Sequence, residues 1–129
     1  MTSESPPTTA MRLSAEPARI AAVRQVVRDQ LSAWGREDLA DAAALCVTEI
    51  LANVHRHAGS PDCELTLDRL PEDGVRAAVS DRSRVLPVVM PRPDCSAECG
   101  RGMHLIAMTA HRWGTTLTPT GKQVWVVLR

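Results

Sequence analysis

The chain has 129 residues, and fifteen basic side chains balance fifteen acidic ones. That length suits one domain with a proper core, and the balance gives no ground for a nucleic-acid or anionic-membrane surface. Hydrophobic residues make up 44% with three Trp, no Phe and no Tyr, so a globular core must be built from Ala, Val, Leu and Ile.

Residues 1–12 read as a disordered tail, because MTSESPPTTA carries Ser, Thr and Pro without an apolar pattern. Residues 13–129 read as one domain. A first helix is predicted to start near Ser14-Ala-Glu-Pro17, with Pro tolerated in the first turn. Ile20, Val23, Val27, Leu31 and Trp34 then recur at spacings of three and four, and Gly35 ends the pattern. A second helix is predicted from about Glu37 to His57. Ala43, Val47, Ile50, Leu51 and Val54 form its core stripe, while Glu49, Asn53, Arg56 and His57 fall on a separate arc.

Cys63–Leu70 and Val75–Ser80 alternate with period two around a Pro71–Gly74 turn, which predicts a hairpin. Asp81–Cys99 holds three prolines and little periodicity. A loop of that length in a small domain is commonly a lid or binding loop. A short helix is predicted over Met103–Ala110, followed by strands over Trp113–Thr118 and Lys122–Leu128. Helices bracketing four strands predict an α+β, two-layer sandwich, with the helices on one sheet face.

Cys46, Cys63, Cys95 and Cys99 are not spaced as a zinc site. Reduced thiols of a cytoplasmic protein are expected, with a Cys95/Cys99 thiol switch as the alternative. No apolar run nears the roughly 20 residues needed to span a bilayer, and the N-terminus lacks the apolar segment of a secretory signal. A cytoplasmic, non-membrane protein is the expectation.

Three stations could carry chemistry. Glu49 and Asn53 share a helix face at i and i+4; a carboxamide oxygen suits Mg²⁺, and a carboxylate can orient or deprotonate a nucleophile. Asp81, at a strand end, can accept a hydrogen bond from an exocyclic amine. Gly100-Arg101-Gly102 precedes a helix, where glycine backbone and free N–H groups can approach phosphate. Each has a plainer reading by itself: a solvated helix face, a turn aspartate, a loop-to-helix turn.

Together and in order, the stations resemble the GHKL family of histidine kinase/Hsp90-like ATP-binding domains. More narrowly, they resemble the stand-alone anti-sigma-factor serine/threonine kinase-like branch of actinobacteria. Val47-Thr-Glu-Ile-Leu-Ala-Asn53-Val-His-Arg-His57-Ala is similar to the N box. Val79-Ser-Asp81-Arg-Ser83 stands at the first G box, and Gly100-Arg-Gly102-Met-His-Leu105 at the second. The resemblance implies a Bergerat-type fold, with three helices on one face of a mixed, mostly antiparallel sheet of four or more strands. It implies ATP and Mg²⁺ as cofactors. Asn53 would coordinate the Mg²⁺ that bridges the phosphates, and Glu49 would act as general base or position the attacking hydroxyl. Asp81 would read the adenine amine with Ser83 beside it. Gly100, Arg101, Gly102 and Met103 would pass near the phosphates, with Arg56 and His57 approaching from the N-box helix. Arg84–Cys99 would be the ATP lid.

The resemblance also implies a partner-switching role. The domain would bind a sigma factor and phosphorylate a Ser or Thr of a STAS-type anti-sigma-factor antagonist, and a homodimer is left open. The alternative is an ATP-binding interaction module that acts by contact alone. Phosphate transfer from ATP separates the two.

Overall fold

The computed structural model describes residues 8–57, 59–72, 74–83 and 101–129, without the side chains of 101–104. Its elements are β1 (Thr8–Ser14), α1 (Pro17–Ala33), a 3₁₀ turn (Glu37–Leu39), α2 (Ala40–His57), β2 (Asp62–Arg69), β3 (Val75–Asp81), α3 (Arg101–Thr109), β4 (Arg112–Leu117) and β5 (Lys122–Leu128). The strands form one sheet in the order β1-β2-β3-β5-β4. Every neighbouring pair is antiparallel, so the expected mostly antiparallel sheet of four or more strands has five strands and, among the described residues, no parallel pair.

Strand alternation decides which residues meet the helices. Val75, Ala77, Val79 and Asp81 of β3 stand opposite Leu128, Val126, Val124 and Lys122 of β5. With Leu65 and Leu67 of β2, the apolar members of this face join Val27 and Leu31 of α1, Val47, Ile50 and Leu51 of α2, and Ile106 of α3 in one core. All three helices therefore bury their apolar stripes against the same side of the sheet. Burying side chains of this size stabilises by about 1.5–3 kcal/mol each.

The end of α1 follows from its sequence. Gly35 takes φ 77°, a left-handed conformation that costs glycine little. The Arg36 N–H then donates to the Leu31 carbonyl at 2.7 Å and the Gly35 N–H to the Ser32 carbonyl at 2.9 Å. This pair of bonds satisfies carbonyls that the helix end leaves open. Trp34 packs partly buried against the core.

The N-terminal boundary differs from the expectation. Thr8–Ser14 is strand β1, paired along its length with β2. Its inward residues Met11 and Leu13 pack on the core. Thr9 Oγ1 donates to Gln30 Oε1 of α1 at 2.6 Å and Thr8 Oγ1 to Asp68 at 2.7 Å. Alternation of only two apolar residues among Thr, Ala and Arg is a weak local signal. The strand is fixed by a partner strand 48 to 60 residues further along the chain.

The outward sheet face is partly closed by Trp125. Its ring lies against Gly114 on β4 and under the Arg76 guanidinium, 5.7 Å from the ring centroid. Arg76 also donates to Gln123 Oε1 at 3.0 Å and pairs with Asp68 at 3.7 Å.

Candidate functional site

Helix α2 carries the first station. Glu49 and Asn53 sit one turn apart, both half-buried, beside the buried stripe Val47, Ile50, Leu51 and Val54. The helix packs against α1 and α3 and against β3 and β5, and β3 ends at Asp81. Glu49 is close enough to Cys46 for its charge to be felt: burial first, and then the Glu49 carboxylate, push the Cys46 thiol up to about 11. Arg56 and His57 are exposed in the last turn of α2, where cations also complement the helix dipole.

The second station is a buried constellation. Asp81 is 5% exposed and Ser83 8%. The Ser83 N–H donates to Asp81 Oδ1 at 2.7 Å. Lys122, 3% exposed, donates through Nζ to Oδ1 at 3.1 Å and to Oδ2 at 2.9 Å. The aspartate therefore ends a strand as expected, yet it is held by an ion pair rather than standing in an exposed turn. Cys63 lies beside it: burial, then the charges of Asp81 and Asp62, push this thiol up to about 11. A cleft of about 550 Å³ opens at this end of the sheet, lined among others by Arg12, Leu13, Cys63, Asp81, Arg82 and Thr118. Glu49 and Asn53 do not line it.

The third station begins earlier than predicted. Helix α3 starts at Arg101, so Arg101, Gly102 and Met103 lie in its first turn, where backbone N–H groups have no intrahelical partner. Gly100 and the expected lid Arg84–Cys99, with Cys95 and Cys99, lie outside the described residues.

Lys122 is the site residue that sequence patterning passed over. A signal for it exists: in β5 the positions Lys122, Val124, Val126 and Leu128 share one face, and a charge at the end of an apolar stripe needs a buried partner.

ATP and Mg²⁺ can be tested against this donor set. Among the described residues, no group of three or more His, Cys, Asp and Glu side chains is arranged to hold a metal. A single carboxamide such as Asn53 still fits Mg²⁺, which keeps several waters and is bound through few protein oxygens plus substrate phosphates. Asp81 fits an amine donor, and the first turn of α3 fits phosphate oxygens.

A helical layer on one face of a five-stranded antiparallel sheet in the order β1-β2-β3-β5-β4 makes this a two-layer α+β domain of the Bergerat type. The profile of the histidine kinase-like ATPase domain matches residues 13–128, and the chain belongs to that family. Membership in an ATPase-domain family implies ATP binding. Among solved structures, the chain is similar to the RsbU and RsbW domains of Rv1364c from Mycobacterium tuberculosis, with a TM-score of 0.71 and 16% identity. The match covers 95% of this chain and 32% of that one, so the chain spans about a third of the length of that protein. At this identity the likeness concerns the fold. No curated protein matches the sequence significantly. Among the described residues, no helix is long and apolar enough to cross a membrane.

Proposed function

We propose that this domain is a cytoplasmic, Mg²⁺-dependent protein serine/threonine kinase of a partner-switching circuit, acting on a small antagonist protein and alternately holding a sigma factor. The observation that carries the proposal is that Glu49 and Asn53 share one half-buried edge of α2 in a chain that belongs to the histidine kinase-like ATPase family.

In this reading Asp81 accepts from the exocyclic amine of adenine. Asn53 would hold Mg²⁺ through its carboxamide oxygen, and the ion would supply charge neutralisation to the phosphates. The first turn of α3 lies along the phosphates through its N–H groups. Glu49 takes the proton from the acceptor hydroxyl. The hydroxyl oxygen forms the new P–O bond as the bond to the ADP oxygen breaks, and Glu49 returns the proton to solvent.

Incubation with γ-labelled ATP and a co-purified antagonist tests this reading. Label on a Ser or Thr of the antagonist, lost in Glu49→Gln, is the expected result. Tight ATP binding without transfer would replace the kinase by an interaction module that works by contact.

A further inference from the structure

The Asp81 side chain is closed to any ligand in this conformation. The whole residue is 5% exposed and its side chain 0%, so what reaches the surface is backbone. Lys122 Nζ donates to Oδ1 at 3.1 Å and to Oδ2 at 2.9 Å, and the Ser83 N–H donates to Oδ1 at 2.7 Å. Among the described residues, Lys122 is the one side chain bonded to these oxygens, and it is itself 4% exposed.

The contact that closes Asp81 is also the one that can open. Asp81 is the last residue of β3 and Lys122 the first of β5, so both stand at one end of the sheet. Lys122 carries its ammonium on a flexible four-carbon stem, and such stems turn their heads out to water while the chain beneath stays packed. The backbone lacks that freedom. Gly121 holds the start of β5 so near that a Cβ there would lie 1.9 Å from the Asp81 carbonyl oxygen and 2.6 Å from the Arg82 Cα. Opening is therefore a movement of the Lys122 side chain and not a parting of strands. The Ser83 N–H bond survives it and keeps Asp81 in place.

We infer that Lys122 is a latch on the nucleotide site: the Lys122–Asp81 ion pair is an autoinhibitory contact, and adenine is read only after Lys122 leaves Asp81. This rests on the reading above, in which Asp81 accepts from the adenine amine. The latch makes the binding-competent state a minor one. Apparent affinity for ATP is then lowered by the fraction of molecules that are open.

Calorimetry of Mg·ATP binding to the full chain is the test. Lys122→Ala clears the slot and lets water reach the carboxylate. A pair closed about nine-tenths of the time lowers affinity about tenfold. Lys122→Ala is therefore expected to bind ATP about tenfold or more tighter than the parent, while melting at a lower temperature for want of its buried pair. A structural pin alone would give the lower melting temperature with equal or weaker ATP binding, which overturns the inference. A second measurement needs no variant. Labelling with ¹⁵N-lysine gives a single side-chain ammonium signal, because Lys122 is the only lysine of the chain. Saturating Mg·ATP is expected to move that signal and to speed its exchange with water. An unmoved signal with ATP bound overturns the inference and leaves ATP binding intact. Absence of ATP binding by the parent and by Lys122→Ala alike removes the ATP-binding reading and this inference with it.

Discussion

A Cβ on Gly121 would sit 1.9 Å from the carbonyl oxygen of Asp81. Both partners in that clash are near backbone, so no side-chain rotation relieves it. Gly121→Ala is expected to cost at least about 2 kcal/mol, at the upper part of the range for forced overpacking. It should also separate Lys122 from Asp81. Urea unfolding measures the first effect, and an unchanged midpoint would contradict the close approach.

Gly114 presents a milder case. A Cβ there would meet the Trp125 ring at 2.6 Å, and that ring is a side chain which can tilt. Gly114→Ala is expected to cost about 1 kcal/mol and to shift the Trp125 fluorescence by moving its ring from under Arg76. A loss as large as that of Gly121→Ala would show that the ring is fixed.

Asn53 and Glu49 should separate by role. Asn53→Ala is expected to reduce Mg·ATP affinity by about a hundredfold or more while the circular dichroism spectrum is kept, since it removes the proposed metal ligand from a half-buried position. Glu49→Gln is expected to leave ATP affinity within about threefold and to lower phosphate transfer by about 10² or more. Equal nucleotide affinity for Asn53→Ala and the parent would sink the metal-ligand assignment.

The two described thiols set an alkaline limit. Cys46 and Cys63 are buried, and each is pushed from 9.0 up to about 11. A folded value above the unfolded one means the native chain holds these protons more tightly. The stabilisation is present below pH 9 and is lost as the pH rises through about 11. Stability is expected to fall across that window by up to about 2–3 kcal/mol per thiol. Cys46→Ala with Cys63→Ala should flatten the fall, as thermal melts from pH 8 upward would record.

Strand β1 can be removed cleanly as a test of its role. Deleting residues 1–12 takes away most of β1, including Met11, and uncovers the β2 edge. A disordered tail would be dispensable. Here the deletion is expected to lower the unfolding temperature by several degrees and to promote edge-to-edge association. Unchanged melting and a monomeric profile on gel filtration would contradict this.

The sequence by itself determined the elements whose signals are local. Val23, Val27 and Leu31 gave α1 its buried stripe, Gly35 its left-handed stop, and the two-residue period of β2, β3 and β5 their inward faces. It also put Glu49 and Asn53 on one face of α2, because helical phase needs only spacing. The tertiary structure decided what depends on distant partners. Thr8–Ser14 is a strand only because β2 offers it a ladder. Asp81 is a buried, paired carboxylate only because the β3–β5 register sets Lys122, forty-one positions away, across from it. Local propensity carries no information about register between strands, and the pairing of Asp81 with Lys122 follows from that register.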